Sequence, residues 1–128
     1  MKTQVAIIGG GPAGLLLGQL LAQKGIASIL IERKTKEYVL SRIRAGVLEQ
    51  GLVELLHEAG CTSRLEREAI LHSGTMIAYD DTTFEVNFRE HTGRDVVVYG
   101  QTEVTRDLYA ARESSGNETI YNLSLIHI

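Results

Sequence analysis

The chain has 128 residues, 44% of them hydrophobic and 23% charged, with 13 glycines, one proline and one cysteine. That composition describes one globular domain able to bury a core without a disulfide framework, and the lone Cys61 reads as an inert thiol in a reducing, cytoplasmic setting. Thirteen basic against sixteen acidic residues give a net charge of −3, and aromatics are only 5%, which excludes the basic, aromatic-studded surface of a nucleic-acid binder.

The first element is easily mistaken. From Val5 to Ala22 only Gln19 is strongly polar, and the stretch sits behind Lys2 in the manner of a signal core or a membrane span. Gly9-Gly10-Gly11-Pro12 interrupts it, and each glycine costs a helix interior about 1 kcal/mol and a proline about 3. No membrane segment is expected; the stretch divides into a buried strand over 5–8 and a helix over 13–24 stopped by Gly25. Ser28 to Glu32 is a second buried strand, parallel to the first through a right-handed crossover. Residues 34–46 read as irregular, and 47–59 as a helix stopped by Gly60. Residues 75–79 and 83–89 read as a hairpin with one wet face, 95–99 as a strand, 102–113 as a helix, and 119–123 as the start of another strand.

The chemistry is concentrated at the start. Gly9, Gly11 and Gly14 form a G-x-G-x-x-G between a buried strand and a helix, and Glu32 ends the next strand 18 residues after Gly14. Gly9 permits the tight turn, Gly11 admits a pyrophosphate to the backbone, and Gly14 lets helix and strand pack closely. Pro12 and Ala13 open the helix, whose first amide groups meet phosphates at the positive end of its dipole. Glu32 is placed to accept hydrogen bonds from an adenosine ribose, so the unit is a Rossmann-like dinucleotide site for which FAD and NAD are equal candidates. Residues 33–44 hold Arg33, Lys34, Lys36, Arg42 and Arg44 against Glu37, a +4 island in a remainder of −7. Such an island beside a nucleotide fold suits phosphate, and the arginine forks of Arg42 and Arg44 suit it best.

The segments Gly9-Gly-Gly-Pro-Ala-Gly14, Ile31-Glu32-Arg33, Tyr38-Val-Leu-Ser-Arg42-Ile-Arg44-Ala-Gly-Val-Leu-Glu-Gln50 and Val98-Tyr-Gly-Gln101-Thr-Glu-Val-Thr-Arg-Asp-Leu108 closely resemble the N-terminal part of the group A flavoprotein hydroxylases that act on 4-hydroxybenzoate. The resemblance covers residues 1–122. It implies an α/β fold: a Rossmann-like FAD-binding βαβ with a parallel sheet, plus an antiparallel hairpin or meander over about 74–99, incomplete at the C-terminus. In that family NADPH reduces FAD, and O2 then hydroxylates 4-hydroxybenzoate to 3,4-dihydroxybenzoate through a flavin hydroperoxide. The resemblance further implies that Glu32 holds the FAD ribose. Arg42, Ile43, Arg44, Ala45, Gly46 and Val47 then line the flavin and its diphosphate chain, and Gln101 touches FAD. By the same resemblance, Arg44 looks like the residue over which a mobile flavin moves. Arg33, Tyr38, Arg42 and Arg44 resemble positions that recognise NADPH, with Arg33 and Lys34 toward the 2′-phosphate. Ser41 stands where the family has glycine and Lys34 where it has an uncharged polar residue.

The resemblance also implies a homodimer for the full-length enzyme. The family's later Asp-Gly and Gly-Asp motifs are absent here, and Leu123 to Ile128 departs from it, as a truncated or frame-shifted reading would. The 128 residues alone are therefore expected to be inactive and to hold FAD weakly or not at all. A dehydrogenase NAD(P) module explains Gly9 to Glu32 equally well, but gives no reason for 38–50 or 98–108. His57, His72, His91 and His127 lack metal-ligand spacing, and no metal site is expected.

Overall fold

A computed structural model describes residues 2–124 and 126. Strand β1 (Val5–Ile8) leads into helix α1 (Pro12–Gln23), and the chain returns as β2 (Ser28–Ile31), parallel to β1 with Val5 opposite Ser28 and Ile8 opposite Ile31. Helix α1 begins where Gly11 is extended and Pro12 supplies a helical φ without losing a hydrogen bond, and it ends before Gly25, which is left-handed at φ 70°. The chain continues through α2 (Lys36–Ser41), β3 (Val47–Leu48), α3 (Gln50–Glu58), α4 (Leu65–Glu68), β4 (Ile70–His72), β5 (Gly74–Tyr79), β6 (Thr82–Asn87), α5 (Phe88–Thr92), β7 (Val96–Val98), α6 (Gln101–Ser114) and β8 (Thr119–Ile120).

Three sheets result. The first is parallel, in the order β1-β2-β8; the second is antiparallel, in the order β3-β7-β4; the third is the β5–β6 hairpin. Helices α1 and α6 pack on each other, and the core gathers Ile7, Leu15, Leu30, Leu56, Leu108 and Tyr109. Fully burying each such leucine contributes about 1.5–3 kcal/mol. Arg112 of α6 is buried as well. Its guanidinium donates to Thr119 Oγ1 at 2.9 Å, to Ser28 O at 3.0 Å and to Glu118 O at 2.5 Å, so it ties α6 to β2 and to the entry of β8.

Several sequence expectations change. Residues 34–46 are not all irregular, because Thr35 Oγ1 accepts the Tyr38 N–H at 3.1 Å and caps α2. The helix expected over 47–59 starts at Gln50, since Val47 and Leu48 pair with Val98 and Val97 as a strand. The hairpin turns on Asp80 and Asp81, with Asp80 at φ 50°. Its alternating pattern does not give one covered face: Met76, Phe84 and Tyr79 are 63%, 51% and 73% exposed. The strands expected over 28–32 and 119–123 end at Ile31 and Ile120. Of the chain end, Leu125, His127 and Ile128 lie outside the described residues. Among the described residues no helix is long and apolar enough to cross a membrane.

A candidate dinucleotide cleft

The glycine turn is built from close contacts. Gly9 sits at φ 107° and donates its N–H to Ile31 O at 2.8 Å. A Cβ at Gly14 would stand 2.1 Å from Gly9 O and 3.2 Å from Ile7 Cγ2, so only glycine lets α1 lie against the turn and β1. A Cβ at Gly11 would meet no atom within 4 Å, which leaves the backbone open on the cleft side. Glu32 is buried, and its carboxylate is clamped: Oε2 accepts the Gly10 N–H at 2.7 Å and Oε1 the Lys34 N–H at 2.8 Å. A carboxylate has about four acceptor sites, so two backbone bonds orient Glu32 and leave capacity for a ligand's hydroxyls.

Around this turn lies a cleft of about 590 Å³ that brings together Gly11, Pro12, Glu32, Arg33, Tyr38, Arg42, Arg44 and Gln101, along with Lys34. Helix α2 presents Tyr38 and its C-terminal neighbour Arg42. The Lys34 Nζ lies 5.2 Å and the Arg42 Cζ 5.9 Å from the Tyr38 ring centroid, and Arg42 Nη1 donates to the Tyr38 hydroxyl at 3.4 Å. Arg33, Lys34, Arg42 and Arg44 make no ion pair among the described residues, whereas Arg64, Arg89, Arg94 and Arg106 are each matched with carboxylates. Lys36 leaves the island: it pairs with Glu113 at 2.5 Å and lies over the Tyr109 ring.

The remaining expected site residues are placed differently. Ala13, Ala45 and Val47 line an adjoining apolar cavity of about 370 Å³ that shares Pro12 and Gln101 with the cleft. Ile43 is 90% exposed and lines neither. Gly46 has a packing reason to be glycine, since a Cβ there would stand 2.8 Å from Gly100 Cα. Thr102 and Thr105 also line the cleft from the first turns of α6; Thr105 stands four residues from Gln101 on one helix face, a spacing visible in the sequence, whereas nothing in the spacing marks Thr102. Cys61 lies elsewhere, near Asp107, and burial pushes its thiol pKa up, which keeps it protonated and unreactive.

The sequence profile of the FAD binding domain family matches residues 2–124. The chain is 50% identical over 129 aligned residues to p-hydroxybenzoate hydroxylase of Acinetobacter baylyi, a match that covers all of this chain and 32% of that protein. It is 32% identical over 72 residues to phenol 2-monooxygenase of a Pseudomonas species, covering 56% of this chain and 12% of that protein. Among solved structures, a probable FAD-dependent monooxygenase from Pseudomonas aeruginosa superposes with a TM-score of 0.80 at 16% identity, over 94% of this chain and 33% of that one. The p-nitrophenol 4-monooxygenase of Pseudomonas putida gives 0.78 at 18% identity, over 92% of this chain and 31% of that one. These structural likenesses concern the fold. The chain spans about a third of the length of the hydroxylase it matches.

Proposed function

Because the chain belongs to the FAD binding domain family, we propose that its cleft holds the adenosine and diphosphate of FAD in a monooxygenase that hydroxylates 4-hydroxybenzoate with NADPH and O2. The observation that carries this reading is the convergence of four cations that have no carboxylate partner among the described residues, Arg33, Lys34, Arg42 and Arg44, on the cleft into which the clamped Glu32 also faces. The residues fit the group: open backbone at Gly11 for phosphate, an oriented acceptor at Glu32 for ribose, and cationic forks for the diphosphate. The 50% identical hydroxylase favours this substrate class over a dehydrogenase module, which explains only the glycine turn and Glu32.

The bound flavin would supply the redox and oxygen chemistry. The chain's own residues bind and orient. In this reading Glu32 fixes the ribose, and the first turn of α1 through Pro12, Ala13 and Gly14 faces the diphosphate. Gln101 reaches FAD from α6. The stretch Arg42, Ile43, Arg44, Ala45, Gly46 and Val47 borders the flavin, with Arg44 where the ring moves. Arg33, Lys34, Tyr38 and Arg42 receive NADPH, with Arg33 and Lys34 toward its 2′-phosphate.

The test is to express the full reading frame and purify the protein. A yellow protein whose NADPH oxidation rises with 4-hydroxybenzoate supports the reading; a colourless protein that binds NAD alone sinks it. The 128 residues by themselves are expected to show no such activity. In the active protein, Lys34→Gln should narrow the NADPH-over-NADH preference in kcat/KM by about tenfold, one charge-assisted contact being worth roughly 1.5 kcal/mol.

A further inference from the structure

We infer that Tyr109 is a positioning residue for the dinucleotide cleft and forms a matched pair with Gly10. Position 10 is a variable position of the glycine fingerprint, so the motif gives no reason for glycine there. The structure does. A Cβ at Gly10 would stand 2.7 Å from the Tyr109 hydroxyl, with Glu32 Cβ and Cγ at 3.1 and 3.2 Å behind it. The hydroxyl occupies the place of the missing side chain and uses it to donate to Gly10 O at 2.8 Å, across 99 residues of sequence. Tyr109 is itself fixed: it is 1% exposed, packs against Tyr121 with the rings tilted 40° and their centroids 6.1 Å apart, and lies beneath the Lys36 ammonium.

The consequence passes through one peptide plane. The Gly10 C=O and the Gly11 N–H belong to the same trans peptide unit and point in opposite directions. Holding the carbonyl against Tyr109 therefore aims the Gly11 N–H away from α6, and that N–H has no acceptor among the described residues. On the other side of Gly10, its own N–H is held by Glu32. Tyr109 and Glu32 thus grip Gly10 from two sides. The grip presets both the amide at the mouth of α1 and the carboxylate facing the ribose before a ligand arrives, which reduces the ordering cost of binding. This inference rests on the FAD reading for its ligand and on the contacts alone for the pairing.

The experiment is a double-mutant cycle in the protein expressed from its full reading frame, with two readouts, FAD affinity by fluorescence titration and the urea midpoint, supported by the amide resonances of Gly10 and Gly11. Tyr109→Phe keeps the tilted ring contact with Tyr121 and removes only the hydroxyl. It should weaken FAD about three- to tenfold, the worth of one neutral hydrogen bond, and shift the Gly11 amide resonance. Gly10→Ala should weaken both FAD binding and the fold in the native background, and Tyr109→Phe should restore most of each loss by vacating the space its Cβ needs. Unchanged FAD affinity in Tyr109→Phe, or a Gly10→Ala cost equal with and without the hydroxyl, overturns the inference. If the native protein expressed from the full reading frame takes up no FAD, the FAD reading fails, while the urea cycle and the Gly11 resonance still decide the pairing.

Discussion

A Cβ added at Gly14 would have to displace backbone, the Gly9 carbonyl at 2.1 Å, and backbone in a turn held by the Gly9–Ile31 hydrogen bond has nowhere to move. Gly14→Ala should therefore lower stability by about 1–3 kcal/mol, in the manner of an overpacked core, and the urea midpoint will read it. Arg112→Met should cost a similar 1–3 kcal/mol, because the apolar side chain leaves the buried Ser28 carbonyl without its guanidinium donor and the Glu118 carbonyl with the Leu30 N–H alone. Lysine is not expected to rescue it, since an ammonium cannot span the four acceptors on Ser28, Glu118 and Thr119 that the planar fork reaches. Individual residues were unevenly legible. Glu32 could be read from its distance to the glycines, because a local strand-turn-helix geometry fixes that spacing. The grip of Tyr109 and the clamp of Arg112 could not, because both act across the core and a single sequence carries no record of which distant residues meet.

Elements with a buried stripe were legible and those without one were not. Helix α6 was expected over 102–113 and spans Gln101–Ser114, since Val104, Leu108 and Ala111 mark its inner face. Helix α2 has no buried residue, and only its cap announces it. Thr35→Ala should loosen that cap by about 1 kcal/mol and broaden the positions of Tyr38 and Arg42, measurable as faster amide exchange over residues 36–41. Helix α4 depends on charge. Arg64 donates to Glu103 and Asp107 of α6, each at 2.7 Å, and to Glu68. The guanidiniums of Arg106 and Arg64 hold the Glu103 carboxyl below its ordinary 4.5. A carboxylate depressed in the folded state binds fewer protons than it does unfolded. Its stabilisation is complete above about pH 4.5 and drains as the pH falls through the lowered value. Glu103→Gln should flatten that acid limb and leave the profile above it parallel to the native one, as urea midpoints from about pH 6 down to about pH 3 will show.

At the scale of the whole molecule, the β1-α1-β2 unit and the strand-rich excursion were both legible, because an unbroken apolar run and an alternating one leave different patterns in sequence, although β1 is covered on one face only and leaves Ala6 and Ile8 exposed. The partnering of Val47–Leu48 and Ile70–His72 with the two sides of β7 was not: strands of two and three residues are too short to carry a period. The hairpin and β4 leave Leu71, Met76 and Phe84 more than half exposed. Strands of this kind recruit further strands, so the isolated chain should self-associate with rising concentration, and Phe84→Lys should reduce that association in sedimentation with little change in stability. The cleft's four cations, Arg33, Lys34, Arg42 and Arg44, stand in a chain whose other residues sum to −7. Field lines from such a distribution steer small polyanions toward one mouth and turn long ones away. Dinucleotide capture should therefore slow as ionic strength rises and the Debye length contracts below about 10 Å, while the rate of release stays nearly constant.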